Sequence, residues 1–130
     1  MPHITLEYSK KLEDALDMYG LCIALKDAAA ATGIFPPAGI RVRAIACDHV
    51  VIADGDPKHG FIDINVRLRA GRTAEAKQAA TDAIFTAATD FTADHMAAHP
   101  FMLSLEMRDI DAELSRKTSS IRDYLPEDMA

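Results

Sequence analysis

The chain has 130 residues, 49% of them hydrophobic and 26% charged, enough for one globular domain with a real core and too few for two. Its 14 Lys and Arg against 20 Asp and Glu give a net charge of −6, so there is no basic surplus to displace phosphate counterions and nucleic-acid binding is not expected. No apolar run approaches the ~20 residues of a membrane span, and Met1-Pro2-His3-Ile4-Thr5 lacks the basic and apolar regions of a signal peptide. Two cysteines, Cys22 and Cys47, make neither a disulfide framework nor a zinc site, and are expected as reduced core thiols of a cytoplasmic protein.

In chain order, His3 to Tyr8 alternates, with Ile4, Leu6 and Tyr8 on one face, as a half-buried strand does. Lys10 to Asp17 is polar and irregular. Leu21, Leu25 and Ala28 recur at helical spacing in an alanine-rich stretch, which predicts a helix over Leu21 to Thr32, ended by Gly33 and Pro36-Pro37. Ile40 to Cys47 alternates again, Arg41 and Arg43 opposite Val42 and Ala44. Asp54 to Gly60 is a run of turn formers. Phe61 to Arg69 is the clearest strand, with Ile62, Ile64, Val66 and Leu68 toward a core. Thr73 is placed to cap a long helix with an apolar stripe at Ala80, Ile84, Ala88 and Phe91, which Pro100 cannot extend. A fourth strand runs from Phe101 to Arg108, and the tail from Asp109 is polar and weakly patterned, loose or crossing a neighbouring subunit.

This order, strand-helix-strand twice, predicts an α/β (α+β) domain of duplicated β-α-β units, about 2–48 and 61–108, with a tail over 109–130. Both helices would cover one face of a four-stranded mixed sheet. The other face, with Thr5, Glu7, Arg41, Arg43, Asp63, Arg67 and Glu106, is too polar for a dry core and is expected to meet water or the inside of an oligomer. Arg67, Arg69 and Arg72 stand against only Asp63 in residues 60–72, a locally cationic stretch in an acidic chain.

Pro2 has its own chemical meaning. Removal of Met1 would leave proline first, with a free secondary amine, whereas proline within a chain has an acylated nitrogen and offers no base. A primary α-amine has a pKa of about 7.7–8.0 and a secondary one is more basic; an apolar site and nearby arginines would bring it down toward neutrality. The histidines are scattered. His95 and His99 have the i,i+4 spacing of a metal pair, but no third ligand stands at a fixed spacing, and a solvated helix end is the simpler reading.

These residues carry a resemblance. A strand led by proline, and Phe61 to Lys77 with its Gly71-Arg72-Thr73 turn, resemble the tautomerase superfamily; the latter segment is similar to the opening of a 4-oxalocrotonate tautomerase subunit without its proline. Met1-Pro2-His3, Ala30 to Pro36, Ala38-Gly39-Ile40-Arg41 and Ala70-Gly71-Arg72 resemble the 5-carboxymethyl-2-hydroxymuconate isomerase family. The resemblance implies a homotrimer that ketonises a tricarboxylate dienol in homoprotocatechuate degradation, with no metal or organic cofactor. It implies Pro2 as the catalytic base, Arg41 as catalytic partner, and Arg72 as a substrate-binding residue. Arg43 is a further substrate-binding candidate for a triply anionic ligand, with a sheet-face charge paired with Asp63, Glu7 or Glu106 as the plainer reading. The alternatives are another proline-dependent tautomerase or decarboxylase of the superfamily, and a ferredoxin-like ligand-binding module without catalysis.

Overall fold

A computed structural model of the chain describes residues 2–129. Four strands, β1 (His3–Ser9), β2 (Arg41–Cys47), β3 (Gly60–Arg69) and β4 (Phe101–Ile110), form one sheet in the order β2-β1-β3-β4, with helices α1 (Met18–Ala31) and α2 (Ala74–Ala98) between them in the chain. β1 pairs with β2 in parallel and β3 with β4 in parallel, while β1 and β3 are antiparallel. In a split β-α-β arrangement of ferredoxin type another strand would part β1 from β2; here they are hydrogen-bonded neighbours, and that alternative fails on topology.

The alternation in the sequence becomes the two faces of the sheet. Ile4, Leu6, Ile62, Ile64, Val66 and Leu68 are fully buried against Leu21, Leu25, Ala29, Ala80, Ile84 and Ala88 of the helices. Each aliphatic side chain sealed this way contributes about 1.5–3 kcal/mol. The opposite face carries Glu7, Arg43, Arg67 and Glu106 in the open. Cys22 and Cys47 are free, and half-buried rather than in the core; burial pushes the Cys22 thiol pKa up and keeps it protonated. Among the described residues, no helix is long and apolar enough to cross a membrane.

Helix α1 begins at Met18, before the expected Leu21, because Gly20 belongs to its cap. The Asp17 carboxylate accepts from the Gly20 N–H at 2.9 Å. A Cβ on Gly20 would lie 2.5 Å from Asp17 Oδ2, so a larger residue there would force the capping side chain to turn. Thr73 caps α2 as expected, accepting from the Ala76 N–H at 3.1 Å. The buried stripe of α2 continues to Thr92 rather than Phe91, which is half-buried; the Thr92 hydroxyl is satisfied by the Ala88 carbonyl at 2.8 Å. His95 and His99 stack on one another at 4.4 Å between ring centroids, with His95 edge-on to Phe101.

Strand directions decide where function can sit. β1 and β2 start at the end of the sheet where β3 and β4 finish. Pro2, the segment leading into Arg41, the Gly71-Arg72 turn and the start of the tail therefore gather at one end.

Candidate active site

At that end the two parallel strands are zipped from their first residues. The Arg41 N–H donates to the Pro2 carbonyl at 3.2 Å, and His3 is in register with Arg41. The Pro2 ring is buried, less than 2% exposed. Removal of Met1, on which a free amine depends, concerns a residue outside those described.

Arg41 is held from one side only. Its Nε donates to the Gly39 carbonyl at 3.3 Å, a contact provided by the short 3-10 turn Pro37–Gly39. Its Nη2 is buried and has no hydrogen-bond partner among the described residues. A buried charged donor left unpaired is costly, which marks Arg41 as a place for an anion. Arg41 lines a cavity of about 450 Å³ together with Pro36, Ala38 and Gly39. The rest of its wall comes from the tail: Lys117, Thr118, Ser119, Ile121, Arg122 and Asp123.

The other two arginines are placed differently. Arg72 braces the loop after α1, its Nη2 donating to the Ile34 carbonyl at 2.9 Å and its Nη1 to the Arg69 carbonyl at 3.1 Å. It thus reaches the segment that goes on to form the cavity wall at Pro36, but does not itself line the cavity. Arg43 lies further from this end, in a separate groove of about 570 Å³ between α1 and β2, with Tyr19, Cys22 and Ile23. This groove is the larger of the two, yet it does not hold Arg41, and Pro2 lines neither. The structure therefore sets Pro2 and Arg41 side by side through a main-chain bond, puts Arg72 behind the segment that leads from α1 to Arg41, and leaves Arg43 outside. Among the described residues Arg43 does not pair with an acid of the sheet face; its Nη1 contacts His3 Nδ1 at 3.2 Å. Asp63 is taken by Ser104 and Asn65 instead.

The His3 pKa is lowered to about 4, first by burial, then by Arg41, Arg67 and Arg43. The neutral ring can accept from Arg43 through Nδ1; a protonated ring cannot. The unfolded chain takes up a proton near the ordinary value of 6.5, which the folded chain refuses until about 4. The stability due to neutral His3 is therefore complete above pH 6.5 and is lost as the pH falls through that window. Thermal unfolding between pH 7 and 4.5 should show a falling midpoint, and His3→Asn, which keeps an acceptor without a titrating ring, should flatten the slope. An unchanged slope in the variant would remove His3 from this account.

Lys117 and Arg122 are site-lining residues that sequence reasoning missed. The available signal was the tail's charge: residues 109–130 hold six acids and three bases, which reads as a solvated acidic segment unless its fold is known.

The profile of the family described as 5-carboxymethyl-2-hydroxymuconate isomerase matches residues 2–125. The chain is 31% identical over 121 residues, 93% of its length and 96% of the relative's, to 5-carboxymethyl-2-hydroxymuconate Delta-isomerase of Escherichia coli. The crystal structure of a 5-carboxymethyl-2-hydroxymuconate isomerase from Deinococcus radiodurans R1 superposes with a TM-score of 0.88 at 32% identity, covering 96% of this chain and 95% of that one. A fused 4-OT symmetric trimer shares the fold at a TM-score of 0.60 and 23% identity, over 84% of this chain and 85% of that one.

Proposed function

The chain belongs to the 5-carboxymethyl-2-hydroxymuconate isomerase family and is an isomerase, and we propose that it ketonises 5-carboxymethyl-2-hydroxymuconate with the amine of Pro2 as the base. In this reading the O–H bond of the 2-hydroxyl breaks as the proline nitrogen takes its proton. The oxygen becomes the C2 ketone, the C2=C3 double bond moves to C3=C4, and the former C4=C5 bond opens to accept a proton at C5. The proton returns from the same nitrogen, so atoms and charge balance without an oxidant or a cofactor. The observation that supports this reading best is Arg41, bonded through its main-chain N–H to the Pro2 carbonyl, with a buried Nη2 that has no partner among the described residues.

Each residue has a physical task here. Burial of the Pro2 ring disfavours a charged amine, which favours a neutral base. Arg41 holds the oxygen on which negative charge grows, or a carboxylate next to it, through a fork of two donors. Arg72, which braces the Ile34 carbonyl and does not line the Arg41 cavity, is assigned a carboxylate grip on the family resemblance alone, and Arg43, bonded to His3 in its own groove, a peripheral one. A homotrimer is proposed on two grounds: the exposed polar sheet face needs a covering or water, and the related fold just described is a trimer.

The direct test is loss of the dienol's ultraviolet absorbance, which the protein should accelerate over buffer; no acceleration would overturn the reading. In the same assay Arg72→Ala should raise KM more for the tricarboxylate than for a neutral enol. Equal losses for both would reject the carboxylate grip and leave Arg72 as the brace of the Ile34 carbonyl alone.

A further inference from the structure

We infer that residues 117–123 form a second anion-binding wall of the Arg41 cavity, with Lys117 and Arg122 taking a carboxylate remote from the reacting bonds. This rests on the proposed ketonisation only for the identity of the substrate, not for the site itself. The tail is acidic overall, with six acids to three bases, yet two of those three bases line this one cavity and only one acid, Asp123, joins them. The third base, Arg116, is turned away, its guanidinium donating to the carbonyls of Glu113 and Ser115. The wall is shaped by its own local bonds: the Ser119 hydroxyl accepts from the Ile121 N–H at 3.1 Å, and the Ser120 carbonyl accepts from the Asp123 N–H at 3.1 Å to open the turn Ile121–Tyr124.

With Arg41 the cavity presents three cations against one carboxylate. A ligand with one carboxylate would leave much of this field unmatched, whereas an anion with two or three matches it. Lys117 and Arg122 are exposed, so their contribution is moderate and sensitive to salt. Their range also differs from that of Arg41: they hold the far end of the ligand, and their loss acts on binding more than on turnover.

The test is calorimetric binding of propane-1,2,3-tricarboxylate, with butyrate as the single-carboxylate probe, to the full chain and to Lys117→Gln/Arg122→Gln. The expected result is a Kd for the tricarboxylate weakened about tenfold or more, with butyrate changed less than about twofold. The charge-preserving Lys117→Arg/Arg122→Lys should stay within about twofold of the parent for both probes, which separates lost charge from a misplaced tail. With the dienol, the Gln pair should raise KM and leave kcat nearly unchanged. Equal Kd values for the tricarboxylate in parent and Gln pair, or equal weakening of both probes, would overturn the proposal. If the parent ketonises no dienol but the Gln pair still loses the tricarboxylate selectively, the wall stands and the proposed reaction falls. If Pro2→Ala abolishes turnover while the Gln pair binds like the parent, the reverse holds.

Discussion

Pro2→Ala should lose about 10²-fold or more of kcat, the lower part of the range that a positioned general base supplies, while the fold stays intact. Alanine also permits removal of Met1, so the variant still begins with an amine. What changes is the kind of amine and its freedom. A primary amine is less basic, and it turns about its Cα–N bond, whereas the pyrrolidine ring fixes both the direction of the nitrogen lone pair and its distance from Arg41. The Pro2 carbonyl that accepts from the Arg41 N–H is main chain and survives the substitution. Circular dichroism and the unfolding midpoint should therefore move little, and the loss should fall on kcat rather than on KM. The parent should also show an acid limb in kcat/KM, reporting the amine of the free protein, which shifts in Pro2→Ala. Intact mass supplies the control, since the parent must have lost Met1. Full activity in Pro2→Ala, or in parent protein that retains Met1, would remove the proline from the mechanism.

How far the sequence revealed this arrangement depends on what encodes each part. Strand β3 was legible because Ile62, Ile64, Val66 and Leu68 alternate without a break against polar neighbours, and all four are fully buried. The Thr73 cap was legible because the capping bond is local and needs only its own first turn. The start of α1 was obscured because Gly20 reads as a breaker; its actual role, clearing space for the Asp17 carboxylate, is a contact that composition does not show. Pro2 and Arg41 were named from the motifs that carry the family resemblance, but their juxtaposition follows from β1 and β2 being parallel neighbours, a fact of topology rather than of either strand's pattern. The tail was opaque for a different reason. Its turns are short 3-10 segments held by side-chain and turn bonds, so no period of 2 or 3.6 runs through it, and Lys117 and Arg122 meet Arg41 across more than half of the chain.

Arg41→Met should lower kcat/KM by about 10²–10³-fold, the usual cost of removing one donor to a developing oxyanion, and should not lower the unfolding midpoint. The two expectations come from one feature. The buried Nη2 has lost its water and has no partner among the described residues, so the folded chain bears that desolvation while the substrate gains from it. Methionine fills a similar volume with no polar atom, removing the penalty along with the function. The bond lost with the side chain is the one from Nε to the Gly39 carbonyl, long at 3.3 Å, while the N–H to the Pro2 carbonyl remains. A midpoint that stays level or rises by a few degrees, together with the loss of activity, would identify Arg41 as a residue kept at the expense of stability. Arg41→Lys distinguishes charge from geometry: an ammonium keeps the charge but not the planar fork, so it should recover binding of the anion better than turnover. A midpoint that drops sharply in Arg41→Met with activity largely retained would make Arg41 a structural tether of the Gly39 turn, and the oxyanion would need another donor.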